Sequence, residues 1–172
     1  MIRKELSKES TIYHYKLLQR IHYNSRYFIA YWCLPGILFL WDLIRLQPLP
    51  MLIGVLLIPV LHTVLIYLYF TLKEKRPLHQ WKFQFTLPWF GYAPTNYIAL
   101  YRIQGMNIHL LWVTAVICGC FYPWIPLTVI LHLMFIHVWI MLPRFIIQFF
   151  MRQHQENGYL KLNDQDASCY EQ

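Results

Sequence analysis

Fourteen of the fifteen lysines and arginines fall on one side of a membrane when the chain is threaded as two apolar hairpins, and Arg45 is the exception. Arg3, Lys4, Lys8, Lys16, Arg20 and Arg26 precede the first apolar run. Lys73, Lys75, Arg76, Lys82 and Arg102 separate the second run from the third, and Arg144, Arg152 and Lys161 close the fourth and follow it. Cytoplasmic loops carry such an excess of cations because short basic segments are retained on that side during insertion. The pattern predicts an even number of crossings, with both termini and the long central connection inside.

Composition agrees with a lipid solvent. Of 172 residues, 58% are hydrophobic and 18% aromatic, and only 13% are charged. A soluble domain usually carries about 25% charged residues, and so much apolar surface exceeds what one aqueous core hides. A bilayer accepts it, provided every backbone polar group is bonded within the protein. The net charge of +7 does not point to nucleic acid, because the cations flank apolar runs and form no basic stripe.

The expected fold is all-α: a polytopic membrane protein with four transmembrane helices in two hairpins. The spans are placed at about 28–44, 51–70, 108–122 and 127–147. Pro48 and Pro50 turn the first hairpin, and Pro123 and Pro126 turn the second. Pro35-Gly36 is expected to kink the first span, and Pro143-Arg144 to mark the inner end of the last. A basic segment, 1–26, precedes the four-span domain, 27–151, and a polar tail, 152–172, follows it, expected to be mobile beyond Gly158. The first 26 residues lack the apolar core of a cleavable leader, so the first run is expected to stay as an anchor. Neither a myristoylation nor a prenylation signature is present.

Two segments outside the spans stand out. Residues 10–24 place Tyr13, Leu17 and Ile21 at helical spacing, which predicts an N-terminal amphipathic helix. Its Lys16 and Arg20 suit anionic head groups, as do Lys73, Lys75 and Arg76 after the second span. The connection 71–107 becomes aromatic and carries Pro88, Gly91 and Pro94, which forbid a long straight helix. An interfacial elbow followed by a short helix over 96–103 is expected. A connection this long is uncommon unless it works. Trp81, Trp89, Phe90, Tyr92, Tyr97 and Arg102 are therefore its candidate interaction surface.

Inside the spans, His62 and His137 are the candidate chemical residues. Each follows the last proline of its outer turn by eleven or twelve residues, which puts both near the bilayer midplane. This correspondence also suggests a duplicated hairpin. Two facing imidazoles suit haem ligation, proton handling or a transition metal, or simply a hydrogen bond between helices. Neither lies in a known metal or haem motif. Asp42 and Arg45, three apart, are expected to pair at the outer boundary. Cys118 and Cys120, two apart on a helix, read as small buried residues without a local disulfide.

Catalytic signatures are lacking: no nucleophile elbow, no paired acids and no phosphate-cradling loop. The expectation is a non-catalytic accessory or assembly subunit of a transport, secretion or envelope complex in a cell membrane, taken to be a bacterial cytoplasmic membrane. Its partners are the lipid bilayer and a membrane protein or a second copy, with no nucleic acid. The alternatives are a haem- or quinone-linked redox subunit built on His62 and His137, and a small transporter or immunity-type protein.

Overall fold

The computed structural model describes residues 15–23, 25–75, 81–84, 89–163 and 165–171, with only the backbone at 25–28. Helix α1 (Ser25–Ile44) contains Pro35 in its interior and continues beyond it. It ends in a turn closed by Leu46 N–H to Leu43 O (3.0 Å) and Gln47 N–H to Asp42 O (2.9 Å). Pro48 caps helix α2 (Leu49–Leu68) and Pro50 lies in its first turn, where a missing amide hydrogen leaves no carbonyl unsatisfied. Pro59 lies further along α2, and the Thr63 hydroxyl donates to its carbonyl at 2.8 Å. A π-helical turn, Tyr69–Glu74, prolongs α2 until Lys75 stops it in the left-handed conformation (φ 50°).

The second hairpin pairs α3 (Leu100–Cys120) with α4 (Leu127–Phe150). Both outgrow their expected limits. The short helix expected over 96–103 and the span expected over 108–122 are one continuous helix, α3. Arg102 is tolerated in its first turn because it finds Glu74 at 3.6 Å. Gly105 lets α3 approach the π-helical turn, since a Cβ there would stand 2.8 Å from the Tyr69 hydroxyl. Pro143 does not end α4, which continues through it for another two turns. Leu49–Glu74, Leu100–Cys120 and Leu127–Phe150 are each long and apolar enough to cross a membrane, and Ile29–Ile44 is a shorter apolar helix.

The expectation of an all-α fold is corrected by two antiparallel sheets. The larger joins β1 (Lys16–His22), β6 (Asp166–Glu171), β5 (Gly158–Leu162) and β4 (Ile98–Ala99), in that order. The smaller is a hairpin of β2 (Trp81–Gln84) and β3 (Gly91–Pro94), with Phe83 opposite Tyr92. Over its described part, the expected N-terminal amphipathic helix is therefore strand β1; residues 10–14 lie outside the described residues. Its every-fourth spacing of apolar residues loses to the six-pair ladder formed with β6, which bonds one edge of the strand without the cost of nucleating a short helix. A bulge between Leu17 and Gln19 adjusts the register.

The tail expected to be mobile beyond Gly158 forms β5 and β6. Its alternation decides this: Leu160 and Leu162 on β5, with Ala167 and Cys169 on β6, are buried under 10% exposure, so one face of the sheet is apolar. They join a core with Leu65, Tyr69, Trp89, Ile103 and Met141 at the ends of the helices. A second core, nearer the two helical turns, holds Met51, Ile58, Cys118, Leu133, Ile136 and Trp139. The larger sheet binds the segments before α1, before α3 and after α4 into one layer at one end of the bundle.

Candidate functional site in the helical bundle

α2 and α4 approach closely because Gly54 faces α4: a Cβ on it would stand 3.2 Å from Ile136 Cγ1. Two turns further along α2, His62 meets His137 of α4, with Nε2 to Nδ1 2.9 Å apart and the rings edge to face at 79°. Both side chains are fully buried. His137 Nε2 lies 3.2 Å from the Leu111 carbonyl of α3, so it carries the proton that it donates there. Its Nδ1 then accepts from His62 Nε2–H. His62 Nδ1 is left as a bare acceptor with no partner among the described residues. An ion held by both rings would set the two nitrogens roughly 3.3 Å or more apart, and a macrocycle would set them further apart still. As placed, the histidines bond each other and tie α2, α3 and α4 together.

A second polar contact lies nearer the turns. His132 Nε2 stands 2.9 Å from Asp42 Oδ2, and its Nδ1 stands 2.6 Å from Thr128 O. Both ring nitrogens face oxygen acceptors. The expected Asp42–Arg45 pair is corrected: Asp42 turns inward to α4, and the Arg45 guanidinium lies over the Trp41 ring at 4.8 Å. The same α1–α4 seam is closed lower down by Tyr31 and Trp139. The Tyr31 hydroxyl donates to Trp139 O (3.1 Å), Trp139 Nε1–H donates to Tyr31 O (3.2 Å), and the rings stack at 4.5 Å.

Two helical turns beyond His137 lies Arg144, and its side chain is completely buried. Nη2 donates to Phe90 O at 2.8 Å, and the guanidinium lies 4.7 Å from the centroid of the Trp89 ring. Gly91, at φ 106°, lets the backbone turn beside it, since a side chain there would be strained. Arg144 has no carboxylate partner among the described residues. Its Nε and Nη1, with Gln148 Nε2 one turn on, have no hydrogen-bond partner there either.

Set against known proteins, the chain matches no family model, no curated protein and no solved structure. Among the described residues, no group of three His, Cys, Asp or Glu side chains is placed to hold a metal ion.

The aromatic residues of the central connection turn largely inward. Trp89 is 1% exposed, and its Nε1–H donates to Tyr92 O at 2.9 Å. Phe90 packs against Trp32 and Trp139, and Trp81 stacks on Tyr92 at 5.6 Å. Tyr97 stacks on Tyr15 at 4.1 Å under the Lys161 ammonium, and Arg102 binds Tyr101 and Glu74. Lys16, Lys73 and Lys75 are exposed, while Arg20 pairs with Asp166 at 3.3 Å. Arg76 lies outside the described residues. Sequence reasoning brought His62 and His137 together but missed Arg144, read there only as the end of a span. Its signal was the seven-residue spacing from His137, which puts both on one helical face.

Proposed function

We propose that this chain is a four-crossing integral membrane protein with both termini and the central connection on the cytoplasmic side. In this reading it serves as a non-catalytic accessory or assembly subunit of a membrane complex. The observation that carries the reading is the position of β1 at the edge of the four-stranded sheet. Three basic segments, remote in sequence, are stitched into that sheet at one end of the bundle. Its first strand pairs with β6 on one side only among the described residues and carries exposed Lys16, Leu17 and Arg20. An edge strand offers unpaired N–H and C=O groups that a partner's strand can take up. The buried polar contacts fit this role, since hydrogen bonds between spans hold a fixed scaffold together.

A photo-crosslinker at Leu17, in protein extracted with mild detergent, tests the reading. One recurrent membrane-protein adduct, or a second copy of this chain, is the expected result. Adducts with lipid alone, together with no loss of any complex when the chain is deleted, would overturn it.

A further inference from the structure

We infer that Arg144 and Gln148 form a binding site for an oxyanion, a carboxylate or phosphate carried on an apolar body. Arg144 is fully buried and Gln148 is 7% exposed. They lie four residues apart on α4, hence on one face. Three of their N–H-bearing atoms are unpartnered among the described residues: Arg144 Nε, Arg144 Nη1 and Gln148 Nε2. All three are donors. A guanidinium is always charged and accepts nothing, and a buried cation without a counter-ion is among the most expensive arrangements a protein contains. The one bond Arg144 makes, to Phe90 O, and the Trp89 ring above it orient the fork without neutralising it. Such a fork, with two edges still open, matches the paired oxygens of a carboxylate or phosphate.

The ligand's remaining body is apolar because the surroundings are. Met141 and Ile147, three residues to either side of Arg144 on α4, are each no more than 3% exposed and belong to the same apolar core as Trp89. Gln148 is the member of the site nearest the end of α4 that leads into the larger sheet. Two sources share this chemistry: the head group of an anionic lipid, or a water-soluble amphiphilic acid.

Thermal unfolding of the full chain in maltoside detergent, in buffer free of phosphate and carboxylate, tests the site. The probes are phosphatidylglycerol, sodium octanoate and inorganic phosphate, added separately. Saturation is expected to raise Tm by about 4 °C or more. A rise with phosphatidylglycerol alone assigns the site to a lipid head group, and a rise with octanoate or phosphate assigns it to a soluble acid. Gln148→Glu places a carboxylate one turn from Arg144. It is expected to raise the starting Tm and abolish the response to the probe that acts on the wild type. Gln148→Leu is expected to weaken that response severalfold in probe concentration. The inference fails if no probe raises Tm, or if Gln148→Glu responds as the wild type does.

Discussion

His62 Nε2 and His137 Nδ1, 75 residues apart in sequence, stand 2.9 Å from each other inside the bundle. Because His137 spends its own proton on Leu111 O, the direction of the bond is fixed. Removing either ring leaves the other with an unsatisfied buried nitrogen. His62→Leu and His137→Leu are each expected to cost about 1–2 kcal/mol, and the double variant less than their sum. Coupling energies between spans average about 0.6 and reach about 1.7 kcal/mol. A double-mutant cycle by thermal unfolding measures this, and additivity within error would refute the bond. The visible spectrum of the purified protein is expected to carry no Soret band.

Helix α1 is held to α4 at two points, Asp42 with His132 and Tyr31 with Trp139. Most of its remaining described side chains face outward. Asp42→Leu strips the acceptor from the partly buried His132 ring and is expected to cost about 1 kcal/mol. Combined with Tyr31→Ala, which removes both the hydroxyl bond and the ring stack on Trp139, it is expected to loosen α1 while α2, α3 and α4 stay packed. A spin label on Cys33, exposed on α1, would report the release as faster motion. An unchanged spectrum would show that α1 is fixed by other contacts.

The Asp166 carboxyl is held below its ordinary value of 3.8. Burial alone would raise it. Hydrogen bonds from Ser168 and Asn163, with the charges of Arg20 and His22, outweigh that effect. Folding therefore favours the ionised form. The stabilisation is complete above pH 3.8 and disappears as pH falls through the lowered folded value. Asp166→Asn is expected to cost about 1 kcal/mol at neutral pH, with a small share from the half-exposed Arg20. Amide exchange along β1 should quicken below pH 3.8 in the wild type, and at all pH values in the variant. Equal protection in both proteins at neutral pH would contradict this account.

Gly158 begins β5 where no side chain fits. A Cβ would overlap the His154 carbonyl oxygen and stand 2.7 Å from Leu100 Cδ1 and 2.8 Å from Cys169 Sγ. Gly158→Ala is expected to cost about 1–3 kcal/mol and to loosen the sheet from the start of α3. Cys169 supplies the readout. Burial pushes its thiol up to about 11, against a smaller downward pull from its hydrogen bond with the Tyr159 backbone. Alkylation at pH 8 should be slow in the wild type and much faster in Gly158→Ala.

Apolar run length and the turn prolines located the four apolar helices, though not the start of α3 or the end of α4. Each is a local property: 20 apolar residues match a bilayer whatever surrounds them, and Pro48 and Pro126 open helices wherever they stand. The facing of His62 and His137 was legible for the same reason, since depth in a span is counted along one chain. Only the tertiary structure decided the sheet. β1 taken alone satisfies helical spacing, and β6 alone is a polar tail. Each becomes a strand because the other, about 150 residues away, completes its ladder. Arg144 illustrates the same limit, because a cation near the end of a span snorkels by default. Its burial follows from the β2–β3 hairpin, which brings Trp89 and the Phe90 carbonyl over it from the far side of α3 in sequence. Pairings between remote segments carry no periodicity along the chain, so no count along it reveals them.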